Sequence, residues 1–364
     1  MYSFSPNPEQ EKLIEVTRRY AQELRAAAHA ADESGDLPRP LIEKGWDLGL
    51  LQTSVSEDYG GFGERSVVSS ALALEELAWG DLSGALALLA PSLFALPMAL
   101  AGSEEQKQAY LPGILGGAWQ PFTAAFLEPV YDFDPLAMSA KAIKKGDGYM
   151  LQGAKTCVPF AADAPAMLVY AELDAQTQAF IVKAGQAGVT IGERQKTLGL
   201  NALPMYELQL DQVELDAGAR LGGPDGHAFV PLLAAMRTGW AALGVGLARA
   251  AFEYSRDYAK EREVFGSKVA QKQSIAFMLA EIATEIEAIR LLNWEAAWQL
   301  DQGLAEDAAN SAYLANSGMA DMAMMVTDRA VQILGGHGYI REHPVELWMR
   351  NGRGMANLSS LAMI

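Results

Sequence analysis

Few residues in this chain stand in spacings that support chemistry. The four histidines are His29, His227, His337 and His343, and only the last two lie close together. No cysteine or carboxylate completes a ligand spacing around them, so no metal centre is expected. Gly244-Val245-Gly246-Leu247-Ala248 superficially matches a dinucleotide fingerprint, but it lies in an Ala-rich helical run with Arg249 at the third glycine position. No strand precedes it, and close helix–helix packing is the better reason for these glycines. Tyr258-Ala259-Lys260-Glu261-Arg262-Glu263-Val264-Phe265-Gly266 reads as a helix with a charged face ending in a glycine turn. Near the C-terminus stands Ser359-Ser360, in a stretch, residues 347–364, that contains no Asp or Glu. A serine hydroxyl abstracts no carbon-bound proton near neutral pH unless another base activates it, and nothing in that stretch can do so.

The segments that hold these residues fall into three textures. From about residue 7 to 119 the chain is Ala/Leu-rich and helical. Pro8-Glu9-Gln10-Glu11 opens a helix, and Leu13, Ile14, Val16 and Thr17 begin a stripe at helical spacing. Ser103 followed by Glu104, Glu105 and Gln106 marks a capped start, with Pro112-Gly113 the expected stop. From 120 to 222 short apolar runs alternate with turn residues, and Tyr206, Leu208 and Leu210 alternate with Glu207 and Gln209. That period predicts a small antiparallel β-domain. From 223 onward helix returns, with Ile275, Met278, Leu279, Ile282, Ile286 and Ile289 along one face of a long helix. The expected organisation is therefore α+β, with boundaries 1–119, 120–222 and 223–364.

Composition narrows the function. Half of the 364 residues are hydrophobic and 20% are charged, enough for a packed core. The formal net charge is −17, and no basic cluster offsets it, which disfavours nucleic acid or an anionic membrane as a partner. Cys157 is the only cysteine, which excludes an intrachain disulfide and points to a reducing compartment. The N-terminal residues show no secretory signal, and apolar stretches are broken by Pro or charge before about 18–20 residues. A cytoplasmic location is the expectation.

Ala330-Val331-Gln332-Ile333-Leu334-Gly335-Gly336-His337-Gly338-Tyr339, then His343-Pro344-Val345-Glu346 and Arg350, resembles the closing block of the acyl-CoA dehydrogenases. The Tyr258–Gly266 block followed by Gln273 and Leu279-Ala280-Glu281 resembles another part of that family. The likeness extends over nearly the whole chain, through Glu57-Asp58-Tyr59-Gly60-Gly61-Phe62-Gly63, Leu74-Glu75-Glu76-Leu77, Gly102-Ser103-Glu104-Glu105-Gln106-Lys107 and Leu221-Gly222-Gly223-Pro224-Asp225-Gly226-His227. It implies an N-terminal α-helical domain, a middle antiparallel β-domain and a C-terminal four-helix-bundle domain. It further implies that Arg262, Phe265, Gln273, Gln332, Gly335 and Gly336 reach across a subunit interface to the FAD of a neighbour. The chemistry suits that role: a guanidinium fork matches a pyrophosphate, and Gly-Gly lets backbone approach a cofactor closely.

The family pattern fails elsewhere. Where relatives carry Thr-Glu-Pro and a Gly-x-Gly-Ser-Asp run, this chain has Leu127-Glu128-Pro129-Val130-Tyr131-Asp132-Phe133-Asp134. The hydroxyl expected to bond the flavin is Leu127. The Trp expected to pack on the flavin is Cys157, and the Ser/Thr position beside it is Pro159, which lacks an N–H. The resemblance places the catalytic Glu at Ser359 and an alternative carboxylate, beside Arg237, at Met236. Both base positions are thus without a carboxylate. The chain also ends before the terminal helix that the resemblance leads one to expect.

The missing features all belong to a subunit's own pocket, and the retained ones to the edge given to a neighbour. A heteromeric enzyme sorts them in this way. The expectation is a base-lacking acyl-CoA dehydrogenase subunit paired with a complete homologue. Together they would oxidise an acyl-CoA thioester, fatty or steroid side-chain, and pass electrons to electron-transfer flavoprotein. Three alternatives stand beside it. One is a self-sufficient homotetramer with a relocated base, Glu128 or Asp134. Another is an assembly protein with no flavin role, and the third a flavin monooxygenase of the same fold.

Overall fold

The computed structural model describes residues 5–63 and 65–364; residues 1–4, read above for a secretory signal, lie outside the described residues. Among the described residues six α-helices come first: α1 (Pro8–Ser34), α2 (Arg39–Trp46), α3 (Val67–Gly80), α4 (Leu82–Leu89), α5 (Ser92–Ala101) and α6 (Glu104–Leu115). The start of α1 is a reciprocal cap, in which Gln10 N donates to Asn7 Oδ1 at 2.9 Å and Asn7 N to Gln10 Oε1 at 3.0 Å. Ser103 and Gln106 cap α6 in the same manner, as expected from their spacing. Two local expectations are corrected. The α6 helix continues through Pro112 to Leu115, because a proline near the last turn removes one donor without breaking the following bonds, and Gly116 N still reaches Pro112 O at 3.0 Å. Val16 faces outward, 40% exposed, and the buried stripe of α1 runs instead through Thr17, Tyr20, Ala21, Leu24, Ala28 and Ala31.

The middle segment forms seven strands: β1 (Thr123–Ala125), β2 (Lys141–Lys145), β3 (Gly148–Pro159), β4 (Ala166–Leu173), β5 (Gln176–Lys183), β6 (Val189–Arg194) and β7 (Met205–Leu215). They lie in the order β1-β4-β2-β3-β7-β6, with β5 on β4. Most neighbours are antiparallel, as expected, but β4 runs parallel to both β1 and β2. Loop 126–140 separates β1 from the rest, so the chain has room for a crossover that a tight turn would not give. The alternation along β7 places Leu208 and Leu210 inward; a bulge at Gln212, with φ 50°, resets the register so that Val213 also points in.

Four further helices follow: α7 (Phe229–Glu261), then a two-stranded hairpin β8 (Glu263–Val264) and β9 (Ser267–Lys268), then α8 (Gln273–Asp301), α9 (Ala305–Leu334) and α10 (Val345–Asn357). Helix α7 packs on α8, α9 and α10, and also on α3, so it joins the two helical parts. A Cβ on Gly246 would stand 2.2 Å from Glu75 O, and one on Gly244 2.3 Å from the Met319 side chain. These glycines serve close helix packing. Helix α7 has a window apolar enough for a membrane span, yet 83% of that window is buried within the protein.

Buried charge pins the helices together. Glu75 accepts from Arg290 Nε at 2.8 Å, Trp294 Nε1 at 2.7 Å and Arg249 Nη1 at 3.3 Å. Its neighbour Glu76 accepts from Arg249 at 2.9 Å and from Arg18. One pair of carboxylates on α3 thereby ties α1, α7 and α8 to one position. Burial raises the Glu75 pKa, and the guanidinium groups of Arg290 and Arg249 counter it.

Candidate functional site

The end of α7 presents an outward edge. Arg262 leaves the helix in extended backbone, its N–H still bonded to Tyr258 O at 2.9 Å. Phe265 and Gly266, both at positive φ (52° and 74°), form the tip of the β8–β9 hairpin, and Phe265 is 99% exposed. Gln273 is the first residue of α8, and Gln332 lies in the last turn of α9. Gly335 stops α9 at φ 59°, and a Cβ there would meet nothing within 4 Å, so backbone conformation rather than crowding demands the glycine.

Two tyrosines one turn apart on α7 join this hairpin end to the glycine turn. Tyr258 Oη lies 2.9 Å from His337 Nδ1, and Tyr254 Oη lies 2.7 Å from His343 Nδ1. The two imidazoles stack with centroids 5.2 Å apart and planes 13° from parallel. Arg329 on α9 pairs with Glu281 on α8. The fold thus brings together the two blocks that carry Arg262 and Gly335, seventy-odd residues apart in sequence. All six residues singled out from the sequence are exposed. The side chains of Arg262, Gln273 and Gln332 have no hydrogen-bond or ion-pair partner among the described residues. Phe277 and Tyr339, 60% and 72% exposed, add apolar surface to the same elements. An unpaired guanidinium, two free amides and an uncovered glycine backbone suit an anionic, amide-accepting ligand held from outside.

The inward positions are different in kind. Leu127, Phe160, Met236, Trp240 and Leu361 belong to one continuous hydrophobic cluster, with Met236 wholly buried and Leu127 6% exposed. The amide of Cys157 is taken by Gln195 Oε1 at 2.9 Å, and Gln195 Nε2 is held by Thr156 Oγ1 at 2.9 Å and Glu207 Oε1 at 3.1 Å. Pro159 is buried and brings no donor. Val130 and Tyr131 project outward, 39% and 106% exposed. Ser359 is half-buried after α10, and Ser360 is buried at φ 59°. Arg237 lies over the Tyr313 ring at 5.0 Å, and burial lowers its pKa against the pull of Tyr313 and Asp134. Leu127, Met236 and Pro159 bring neither a hydrogen-bond donor nor a carboxylate to this face.

The two candidates for a relocated base are engaged to different degrees: Glu128 is buried among three donors, Asp134 is exposed with one. Glu128 Oε1 accepts from Ala140 N at 2.8 Å and Lys155 Nζ at 2.9 Å, and Oε2 from Ser139 N at 2.6 Å. Burial raises its pKa, but Lys155 and the two backbone amides together hold it below the ordinary carboxylate range. Lys155 is itself wholly buried, its pKa lowered by burial to about 8 despite Glu128. Asp134 caps its own turn, accepting from Leu136 N at 2.8 Å. No local signal points to Gln195, whose role depends on a strand pairing, β6 to β7. Tyr254 and Tyr258 are signalled only by their i, i+4 spacing.

Family profiles described as the acyl-CoA dehydrogenase N-terminal, middle and C-terminal domains match residues 7–118, 123–213 and 227–358. A cyclohex-1-ene-1-carbonyl-CoA dehydrogenase of Syntrophus aciditrophicus is 35% identical over 356 residues, covering 95% of this chain and 85% of that one. The solved butyryl-CoA dehydrogenase of Megasphaera elsdenii is 30% identical, with a TM-score of 0.85 and coverage of 97% and 95%. A structure of PigA with FAD and proline is 25% identical, with a TM-score of 0.88 and coverage of 99% and 96%.

Proposed function

The chain belongs to the acyl-CoA dehydrogenase family, and within that family we propose that it is the base-lacking subunit of a heteromeric dehydrogenase. It completes the FAD seat of a homologous partner that carries the carboxylate, in the α,β-dehydrogenation of an acyl-CoA thioester. FAD, when bound, accepts the hydride of that oxidation, and electron-transfer flavoprotein takes the electrons onward. In this reading Arg262 holds the pyrophosphate through its two-pronged N–H face. Gln273 and Gln332 offer side-chain amides, and Gly335-Gly336 lets backbone approach without a Cβ between. Phe265, at the hairpin tip, covers apolar surface on the partner. The Tyr258–His337 and Tyr254–His343 bonds keep these donors in one arrangement, so that little order is lost when the cofactor seats.

The observation that carries the proposal is the contrast between two faces. Outward, three polar side chains capable of binding a dinucleotide have no partner among the described residues. Inward, the base positions are Ser359 and a wholly buried Met236, and the Cys157 amide is already spent. Co-expression with a homologue retaining the Glu tests it. The expected product is a mixed tetramer with two FAD rather than four, active on an acyl-CoA. A yellow homo-oligomer of this chain alone, holding one FAD per subunit and bleached by an acyl-CoA, overturns the proposal.

A further inference from the structure

The residues after α10 turn inward. Leu358 leaves the helix in extended backbone, Ser360 takes φ 59°, and Leu361, Ala362, Met363 and Ile364 are then buried, none more than 2% exposed. They cross α7 at Gly239, where a Cβ would stand 3.3 Å from Met363 Cα and 3.4 Å from Ile364 N. Met363 and Ile364 also wall a chamber of about 300 Å³, together with Leu13 of α1, Leu74 of α3, Leu89 of α4 and Leu96 of α5. No aromatic ring lines that chamber among the described residues, and its one ionisable side chain there, Glu9, is exposed. Burial without bonding sets the segment apart. Among the described residues no backbone N–H or C=O of 359–363 has a hydrogen-bond partner, and the single bond to the segment runs from Arg65 Nη2 to Ile364 O. Buried backbone groups normally pair, and each one left alone weakens the seating. A serine at positive φ adds to that cost. Apolar side chains and one carbonyl therefore hold these residues in place, which puts them at the low-stability end of the fold.

We infer that Leu361–Ile364 is a detachable stopper: seated, it closes the apolar chamber bounded by α1, α3 and α5 against α7, and displaced, it opens that chamber to a straight aliphatic chain headed by a carbonyl oxygen. The seated segment itself shows what the place accepts. A carbonyl takes the Arg65 N–H, and the side chains of Met363 and Ile364 lie among leucines. Withdrawing those two residues uncovers Gly239 and joins its bare face to the chamber, because the same two residues touch both. A ligand with an oxygen on Arg65 and methylenes in the vacated space makes the same contacts without burying unpaired N–H groups. Stopper and ligand use one seat on Arg65, so each excludes the other. The device concerns this chain alone and is independent of any flavin on a partner.

Titration calorimetry with dodecanoate at pH 7, on the full chain and on a chain lacking residues 361–364, tests the inference. The shortened chain should bind one dodecanoate at least tenfold more tightly than the full chain. Arg65→Met in the shortened chain should weaken that binding roughly tenfold or more, through loss of a charged donor. Hydrogen exchange of the unmodified full chain, read by mass spectrometry, supplies a second arm that needs no variant. The amides of 361–364 should exchange faster than those of α10, and saturating dodecanoate should speed them further while leaving α10 unchanged. Equal affinity with and without the segment overturns the inference, as does no binding to a shortened chain that melts cooperatively. Exchange of 361–364 as slow as that of α10 overturns it as well, and this arm alone decides where the shortened chain does not fold.

Discussion

Replacing Arg262 by alanine separates the two uses to which an exposed arginine can be put. In the isolated chain its guanidinium has no partner among the described residues, and its backbone N–H, which caps α7, survives the substitution. Surface changes of this kind stay within about 0.5 kcal/mol. With roughly 2.1 cal/mol/K of unfolding entropy per residue, 364 residues give about 0.8 kcal/mol/K, so the melting temperature should move by less than about 1 °C. The complex with a Glu-bearing homologue should respond differently. A hydrogen bond to a charged group contributes about 1.5–3 kcal/mol, which is roughly 10- to 150-fold in the dissociation constant of the flavin. Dialysis of the complex followed by flavin absorbance per tetramer measures the loss, and differential scanning fluorimetry of the lone chain supplies the control. Unchanged flavin retention in the complex rules out the assigned role, because the arginine would then be an ordinary solvated charge. A large drop in the lone chain's melting temperature would show instead that the side chain already has a partner within its own subunit.

Lys155→Met leaves Glu128 buried with two backbone amides and no counter-charge, which costs about 3–5 kcal/mol and should lower the melting temperature by roughly 4–6 °C; an unchanged transition sinks that account. Asp81, whose pKa burial raises from 3.8 to about 6, holds a proton in the folded chain that the unfolded chain has already released between those two values. Its contribution to stability is therefore present below pH 3.8 and lost as the pH rises through about 6. Asp81→Asn keeps an acceptor for Gly84 N, 2.7 Å away, so the variant should melt higher at pH 7 and show a flatter melting profile between about pH 4 and 7; a lower melting point at pH 7 contradicts this. On the proposed assignment of Ser359 to the base position, Ser359→Glu supplies a carboxylate there, while Leu127, Cys157 and Pro159 still bring neither a hydroxyl nor an aromatic ring. The variant alone should reduce no electron-accepting dye with an acyl-CoA, and measurable turnover would refute the proposed loss of this chain's own flavin pocket.

Much of this protein is written locally. Asn7 with Gln10 and Ser103 with Gln106 set helix starts that need no distant partner. The period-two pattern of β7 and the stripe through Ile282, Ile286 and Ile289 fix which faces go inward, because burial of apolar area enforces the same side on every repeat. The absence of a carboxylate from residues 347–364 is likewise a fact of sequence alone. Tertiary structure decided what the remaining polar groups do, since a hydrogen bond depends on which atoms the fold brings within about 3 Å. Only the packing of α7 against the turn after α9 sets Tyr258 on His337, and only the β6–β7 pairing lets Gln195 take the Cys157 amide. Glu128 looked like a spare acid in the chain; the fold buries it and commits it to three donors, from Lys155, Ser139 and Ala140. Arg65 and Ile364, far apart in sequence, came into contact for the same reason: contacts that close a long loop are selected by the whole core and leave no trace in local spacing.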